Sequence, residues 1–437
     1  MRRHSSGRRG LALATAGVML ASLGLAACGS SSSASGTKAL TWYINPDIGN
    51  TDPSKGGQAS LAQICSKASG GKYNIKVQLL PNSASDQRIQ LLRRLVANDS
   101  SMDLMSMDPA FVTEFASADL LAPVPASMDK EFKADRVDSA IKGATFDNKL
   151  IAVPFWANTQ LLWYSKKVAK AAGLDISVNN PVTWAQVIDA AKKEKKQIGV
   201  QAKLYEGYSV WINALIAGAG GKIVDNPAAT AVDTKLGINS PAGKDAARII
   251  STIANSGLGG PAMGSSDETA ALALFQSKAA AFLVNWPYTY AALTGDKSDV
   301  GAAVYPRTVA GKDAAPPFGG IDLAVGKSSK SPEVAYQATA CITNEKNQAA
   351  YMAVAGNPAS RKAAFTDPAV LKAFPNGIAA TILKSLGTAT PRPLSPYWGD
   401  ISTGLQQQFS PPSSVNANTP VKAQKFITNV LKGKALL

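Results

Sequence analysis

SDQRIQLLRRLVANDSSMDLMSMDPA, residues 85–110, is the stretch that indicates the fold. In its first half, apolar residues recur at helical spacing, and the pattern predicts one buried stripe formed by Ile89, Leu92 and Val96 together with Leu91 and Leu95. The apolar run 102–107 then predicts a short buried strand, and Asp108-Pro109 starts a further helix. This alternation of helix and strand predicts an α/β fold built on a parallel sheet with helices on both faces.

Asp108 directly follows the predicted strand. Ligands of such sheets bind at the carboxyl ends of the strands, so Asp108 is a candidate ligand-binding residue. It is equally suited to cap the helix that follows, and the two roles are compatible.

The same pattern extends in both directions along the chain. The length of 437 residues predicts two lobes rather than one. Further predicted elements comprise strands at 39–44, 73–80, 282–286 and 323–325, a helical segment carrying Cys65, a capping box from Thr183 to Gln186 that opens a helix through Lys196, and a helix start at Ser331-Pro332-Glu333.

Residues 1–27 are typical of a signal peptide, with four arginines followed by an apolar run. The run ends in Leu25-Ala26-Ala27-Cys28, which resembles a bacterial lipobox and predicts lipidation of Cys28. A membrane-spanning helix would need about 20 apolar residues, more than the run provides. Residues 28–37, rich in serine and glycine, are predicted to form a flexible tether. The paired arginines leave both the general and the twin-arginine export routes open.

Positive charge is spread along the chain. Without the four signal-peptide arginines, 41 Lys and Arg residues face 30 acidic residues, a formal charge of about +11. Basic proteins can bind nucleic acid, but the lysines at 192–196 lack the interleaved aromatic residues of a strand-binding groove. A solvated lysine face is the better interpretation, and no nucleic-acid partner is predicted.

Composition restricts the chemistry. The single histidine, His4, lies in the predicted signal peptide, so the mature chain would lack the imidazole of Ser-His-Asp and Cys-His nucleophile systems and of most zinc sites. The spacing of a P-loop is absent, and no metal or cofactor is predicted. A glycosidase, which needs only two carboxylates, remains the main enzymatic alternative.

Two cysteines remain once Cys28 is assigned to lipid. In an oxidising compartment, Cys65 and Cys341 could form a disulfide or stay as separate buried thiols, and their spacing does not decide between these states.

Several segments combine aromatic rings with polar side chains next to predicted strand ends or loops. Sugars need such a mixture, because their C–H faces pack on rings while their hydroxyls need hydrogen-bond partners. The segments are Phe155-Trp156-Ala157-Asn158-Thr159, Tyr205-Glu206-Gly207-Tyr208 with Trp211, Asn285-Trp286-Pro287-Tyr288, Phe318-Gly319-Gly320-Ile321, and Pro391-Arg392-Pro393 with Tyr397-Trp398.

These segments, in this order, resemble the sugar-binding lipoproteins of bacterial ABC importers, known as extracellular solute-binding family 1. The resemblance extends over the whole mature chain and is greatest to the trehalose-binding lipoproteins of actinobacteria. It is carried by Asp86-Gln87-Arg88 through Arg94-Leu95, Asp103 to Asp108, Asn158-Thr159-Gln160-Leu161-Leu162-Trp163-Tyr164, Glu206-Gly207, Asn285-Trp286-Pro287 and Gly319-Gly320-Ile321.

The resemblance implies a two-lobed, periplasmic-binding-protein-like fold, each lobe a mostly parallel sheet flanked by helices, joined by a hinge. It places residues 38–150 and about 302–355 in an N-terminal lobe, and residues 151–301 and about 356–437 in a C-terminal lobe. It also implies that Cys65 and Cys341 form a disulfide.

The implied ligand site lies between the lobes. Hydroxyls would bind Gln87, Asp108, Asn158 and Glu206, a sugar ring would stack on Trp286, and backbone groups of Gly320 and Ile321 would complete the wall. Arg392 would reach in as a forked donor, with a surface ion pair as its alternative role. The loop 45–50 should also line the cleft but matches the family poorly, so no residue is assigned there.

The expected function is binding without catalysis. A monomer, anchored by lipid to the outer face of the cell membrane, would capture trehalose, maltose or another α-glucoside and deliver it to a permease driven by a cytoplasmic ATPase. The alternatives are an extracellular glycosidase using two carboxylates such as Asp108 and Glu206, and a structural or adhesive lipoprotein.

Overall fold

The computed structural model describes residues 36–177 and 181–437. The predicted signal peptide, Cys28 and residues 28–35 of the tether lie outside these ranges. Residues 37–437 form one compact unit. Among the helices in the described ranges, none combines the length and apolar composition needed to cross a membrane.

Two sheets organise this unit. The first has the strand order β2-β1-β3-β11-β6 and the second β10-β7-β9-β8, while β4 and β5 form a separate hairpin. The strands are β1 (Lys38–Ile44), β2 (Tyr73–Leu79), β3 (Leu104–Met107), β4 (Thr145–Phe146), β5 (Lys149–Leu150), β6 (Ala152–Thr159), β7 (Leu161–Ser165), β8 (Gln197–Gly199), β9 (Ala280–Asn285), β10 (Val300–Ala303) and β11 (Phe318–Ala324).

Each sheet contains one reversed strand. In the first sheet β11 pairs antiparallel with both β3 and β6, so the other four strands share one direction. In the second sheet β7 is antiparallel to β10 and β9, and the other three strands run the same way. The prediction of mostly parallel sheets is confirmed, with the addition that the reversed strands bring their amino ends to the edge where the neighbouring strands end.

Helices cover the sheets. They are α1 (Gln58–Ala68), α2 (Ala84–Val96), α3 (Pro109–Ser117), α4 (Ala126–Lys133), α5 (Asp138–Gly143), α6 (Lys166–Ala172), α7 (Trp184–Lys193), α8 (Glu206–Gly218), α9 (Pro241–Asn255), α10 (Glu268–Gln276), α11 (Tyr288–Ala292), α12 (Pro332–Ile342), α13 (Glu345–Ala355), α14 (Pro368–Ala373), α15 (Ile378–Thr388), α16 (Trp398–Gln408) and α17 (Thr419–Leu431).

The predicted start of α7 is confirmed by a reciprocal capping box, in which Thr183 Oγ1 accepts from Gln186 N–H and Gln186 Oε1 accepts from Thr183 N–H. The helix ends at Lys193, three residues before the predicted end. Ser331 precedes α12 as expected, but its side chain makes no capping bond.

The apolar stripe predicted for α2 is partly wrong. Leu91 and Leu95 are buried together with Gln87, whereas Ile89 is 39% and Val96 62% exposed. Residues 87, 91 and 95 follow one another at four-residue spacing, so the helix buries a narrow face that includes a polar residue. Apolar periodicity alone could not show which side of the helix faces the sheet.

The chain passes between the sheets at Gln160, directly after β6, and again between β10 and β11. We call the elements around the first sheet the first lobe and those around the second sheet the second lobe. The lobe boundary predicted between residues 150 and 151 would assign β6 to the second lobe. Because β6 pairs with β11 in the first sheet, we propose a limit at Gln160 instead.

A buried arginine fixes the third passage, which follows α13. Arg136 is 2% exposed and donates to the backbone oxygens of Pro154 and Thr343 and to Ser360 Oγ. Burial lowers the pKa of this guanidinium to about 9. The arginine thus ties β6 to the start of the passage, because one guanidinium donates to acceptors on both.

Cys65 of α1 and Cys341 of α12 form a disulfide across a sequence separation of 276 residues. The bond joins the chain's early helix to a helix that lies in the first lobe after the strands of the second sheet are complete. The pairing implied by the family resemblance is therefore present.

Removing this disulfide is expected to lower the free energy of unfolding by about 2–4 kcal/mol, because the bond restricts a long loop of the unfolded chain. Denaturant unfolding of Cys65→Ser/Cys341→Ser against the oxidised parent measures the change. An unaltered midpoint in the double variant would contradict the prediction, and reduction of the parent should reproduce the shift.

Candidate functional site

A cavity of about 710 Å³ lies where the two sheets face each other. From the first lobe it is lined by the loop after β1, by Asp108 after β3, by Asn158 near the end of β6 and by the start of β11. From the second lobe it is lined by Glu206 at the start of α8 and by Trp286 after β9. Because β11 is reversed, its first residues join the carboxyl ends of β3 and β6 at the cavity edge.

All eight ligand-binding residues predicted from the sequence line this cavity. They are Gln87, Asp108, Asn158, Glu206, Trp286, Gly320, Ile321 and Arg392. The fold thus assembles residues spread over three hundred positions into one wall, while their roles toward a ligand remain predictions.

Asp108 caps α3, since its Oδ1 accepts from Ala110 N–H at 2.9 Å. The same oxygen accepts from Arg392 Nη2 at 2.6 Å. Among the described residues no donor is bound to Oδ2, so the second oxygen of this cavity-lining carboxylate is available to a ligand.

Glu206 has its hydrogen-bonding capacity largely filled by protein. Its Oε1 accepts from Arg392 Nη1 at 2.8 Å and from Trp398 Nε1 at 2.9 Å, and its Oε2 accepts from Ser402 Oγ. Burial raises the pKa of this carboxyl, and Arg392 and Ser402 act in the opposite direction. The predicted direct contact of Glu206 with a hydroxyl would therefore use lone pairs left by these donors.

Arg392 is 4% exposed, so the alternative of a surface ion pair is wrong: its ion pairs with Asp108 and Glu206 are buried. Burial acts to lower the pKa of the guanidinium, but the two carboxylates outweigh it and raise the pKa. The Arg392 guanidinium was predicted to bind a ligand, but its two terminal nitrogens bind two side chains of the protein. Its buried Nε has no partner in the described part of the chain.

Two amide side chains retain free groups toward the cavity. Asn158 uses Oδ1 to accept from its neighbour Thr159 N–H, which leaves its amino group without a partner among the described residues. Gln87 donates from Nε2 to the backbone oxygen of Pro81 at 2.7 Å. Its Oε1 has no partner among the described residues. One donor group and one acceptor are thus fixed in position for a polar ligand.

Trp286 is held from several sides. Asn285 Oδ1 accepts from Trp286 N–H at 2.9 Å, and Asn285 Nδ2 donates to the backbone oxygen of Glu268. The half-buried indole reaches the first lobe, where a Cβ placed on Gly319 would lie 3.1 Å from Cη2 of the ring. The Asn-Trp-Pro motif therefore orients a ring, and Gly319 leaves room for it.

Gly320 is required by the backbone itself. Its φ is +125°, and a Cβ there would lie 2.1 Å from the backbone oxygen of Trp156 on the neighbouring strand. Only glycine fits this close approach. Steric contact with the neighbouring strand therefore explains why glycine stands at position 320 of the predicted backbone wall.

Glu268, at the start of α10, lines the cavity and was not predicted from the sequence. Its carboxylate accepts from Tyr205 Oη and, at 3.4 Å, from Trp286 Nε1. Burial raises the pKa of this carboxyl, while the bond from Tyr205 opposes the rise. The local sequence offers only a helix start at Asp267, so the proximity to Trp286 is visible only in the folded chain.

The loop 45–50 does line the cavity, as expected, and Asp47 explains its shape. Asp47 Oδ1 accepts from Gly49 and Asn50 N–H, and Oδ2 accepts from Gln58 N–H at 2.6 Å. This carboxylate therefore organises the loop against the start of α1.

Comparison with known proteins identifies the family. Residues 53–349 match the family described as bacterial extracellular solute-binding protein. The chain belongs to the bacterial extracellular solute-binding proteins.

Individual relatives agree with this solute-binding protein assignment. A Deinococcus radiodurans protein named "Probable ABC transporter-binding protein" is 30% identical over 321 residues, which cover 69% of this chain and 72% of the relative. The maltodextrin-binding protein of Bacillus subtilis is 25% identical over 303 residues, with 68% and 69% covered. In fold, the chain is similar to a maltose-bound Thermotoga maritima protein, with a TM-score of 0.78, 21% identity and coverage of 91% and 100%.

This solute-binding protein is not an enzyme, and its family acts outside the cytoplasm. The two carboxylates named for the glycosidase alternative, Asp108 and Glu206, both bind Arg392. In the described residues, groups of His, Cys, Asp and Glu able to hold a metal ion are absent.

The charges of the cavity disfavour an anionic ligand. Its lining includes the carboxylates of Asp47, Asp108, Glu206 and Glu268 and a single cationic side chain, Arg392. Since Arg392 is already paired with two carboxylates, an anionic ligand would enter without a free cation to receive it.

Proposed function

We propose that this solute-binding protein captures a short neutral sugar in the cavity between its lobes. The observation that supports this most directly is the placement of the Trp286 ring beside the unused polar groups of Asp108, Asn158 and Gln87. A ring face and fixed donors and acceptors are what a sugar needs from a protein. Glu268 adds a further carboxylate on the second-lobe side.

Trehalose is the first candidate ligand, and maltose or another α-glucoside is the next. Trehalose follows from the sequence resemblance. Maltose is supported by relatives, because the Bacillus subtilis protein is named for maltodextrin and the Thermotoga maritima structure holds maltose. A cavity of about 710 Å³ falls within the usual size range of small-molecule sites.

The proposed transport role is supported by the family to which the chain belongs and by its two-lobed fold. Closure of the two lobes around a sugar would trap it, a hinge motion of known type. We propose that the closed monomer then docks on a permease driven by a cytoplasmic ATPase, and that lipid on Cys28 keeps it at the outer face of the cell membrane. Stable retention would need more than one acyl chain.

Calorimetric titration tests the ligand assignment. The chain beginning at Gly29 is titrated with trehalose, maltose, sucrose, glucose and a sugar phosphate. Saturable binding of one α-linked disaccharide is expected, with binding of the sugar phosphate weaker because the cavity's only lining cation is already paired. Absence of heat with every neutral sugar would contradict the proposal, as would tighter binding of the phosphorylated compound.

A further inference from the structure

Arg392 bonds carboxylates from opposite lobes. Asp108 follows β3 of the first sheet, and Glu206 begins α8, which belongs to the second lobe. The two terminal nitrogens of one guanidinium reach them at 2.6 and 2.8 Å. The Arg392 side chain therefore joins the two lobes by ion pairs at the wall of the cavity.

Glu206 is held by several hydrogen bonds on its side of this connection. Besides Arg392, Glu206 binds Trp398 Nε1 and Ser402 Oγ, so three of its donors come from the segment 392–402. These bonds link α8 to the late segment that carries Arg392 itself. They can all persist when the lobes separate.

The backbone next to Arg392 is anchored as well. Thr390 accepts from the N–H of Phe318, the first residue of β11, and donates to the oxygen of Pro316 in the passage before it. Asn213 Nδ2 of α8 donates to the oxygen of Pro391 at 3.3 Å. The backbone before Arg392 is thus bonded to the start of β11, where the chain enters the first sheet, and to α8 of the second lobe.

The Asp108 side is different, because the ion pair with Arg392 is its only bond to this late segment among the described residues. Its other bond, to Ala110 N–H, lies within its own lobe. On opening, Arg392 would keep Glu206 as its counter-charge, and Asp108 would keep its helix cap and gain water. Opening would break this ion pair, together with the packing of the Trp286 ring on Gly319 and of α16 on α3.

We propose that the Arg392–Asp108 ion pair is an interlobe latch that favours the closed arrangement before any sugar arrives and positions Asp108 for the sugar. The latch fixes Asp108 through Oδ1 and leaves Oδ2 as the oxygen offered to a hydroxyl. Arg392 is then a positioning residue that sets affinity through closure. The positioning part rests on the proposed sugar site, whereas the closure part does not.

The test measures lobe separation without ligand. Spin labels on cysteines introduced at the exposed positions Lys76 in the first lobe and Lys244 in the second lobe report the interlobe distance by pulsed electron resonance. Asp108→Asn retains the shape and the capping oxygen but removes the charge. We expect it to lower the ratio of closed to open molecules about tenfold, as for loss of one hydrogen bond between charged groups.

Asn158→Ala is the matched control, because it removes a cavity amide without touching the latch. It should leave the ligand-free distances unchanged. Added salt should reduce the closed fraction of the parent and have little effect on Asp108→Asn, because salt stabilises the Asp108 charge that opening exposes to solvent. Arg392→Lys, which retains the charge but not the fork, should fall between the parent and Asp108→Asn.

Two outcomes would overturn the latch. One is a fully open ligand-free parent, and the other is an Asp108→Asn distance distribution identical to that of the parent. Either could occur while the parent still binds a disaccharide in the calorimeter. Failure of the latch is therefore distinguishable from failure of the proposed function.

Discussion

Trp286→Ala is expected to weaken disaccharide binding by about 30-fold or more, the effect of losing about 2 kcal/mol at a binding hot spot. The indole is the stacking surface of the proposed site, and it is held by Asn285 and Glu268. Removing it takes away the ring face and widens the cavity against Gly319. Calorimetric titration with the disaccharide that binds the parent measures the loss.

Trp286→Phe is the matched control for this substitution. It retains a ring face but loses the donor to Glu268, so a smaller loss, within about tenfold, is expected. Thermal unfolding of both variants checks that the fold is intact. Parent-like affinity in Trp286→Ala would refute the stacking role.

Glu206→Ala is expected to lower the free energy of unfolding by about 3–5 kcal/mol, because it removes one partner of a buried ion pair. Arg392 would then keep its buried charge with Asp108 alone. Trp398 Nε1 and Ser402 Oγ would also lose their common acceptor. Denaturant unfolding of the chain beginning at Gly29, without sugar, measures the change.

Asp245→Ala provides a matched comparison, since Asp245 pairs with Arg248 on the surface of α9. Exposed pairs contribute at most about 1 kcal/mol, so this variant should differ little from the parent. Equal destabilisation by the two substitutions would show that the Glu206 network does not stabilise the fold as described. Loss of sugar binding in Glu206→Ala alone would not test this point.

Much of the site was predictable because its residues follow regular elements. Asp108-Pro109 signals the end of a strand and the start of a helix, and the Gly-Gly motif lies at the same edge of the first sheet. The Asn-Trp-Pro motif marks the end of β9 in the second sheet. Residues at the ends of neighbouring strands meet at that edge wherever the sheet has this topology. Glu268 could not be found this way, since it begins a helix and its carboxylate meets Trp286 Nε1 only in the folded chain.

The helix α2 shows the limit of periodicity. Five apolar residues suggested a broad stripe, but the buried face is the line of Gln87, Leu91 and Leu95. Spacing gives the angle between side chains around a helix axis, but it does not say which angle faces the sheet. Gln87 is buried because its amide bonds the backbone of Pro81 at the cavity edge.

The family resemblance implied the two lobes and the residues of the cavity. The residue patterns by themselves determined the α/β class and the positions of several strands and helices. These depend on local periodicity, caps and turn residues, which act over a few positions. Tertiary structure alone decided that β11 and β7 are reversed, that β6 belongs to the first lobe and that Arg392 binds Asp108 and Glu206. Those features depend on contacts between residues far apart in the chain, where charge and hydrogen-bond partners are set by packing.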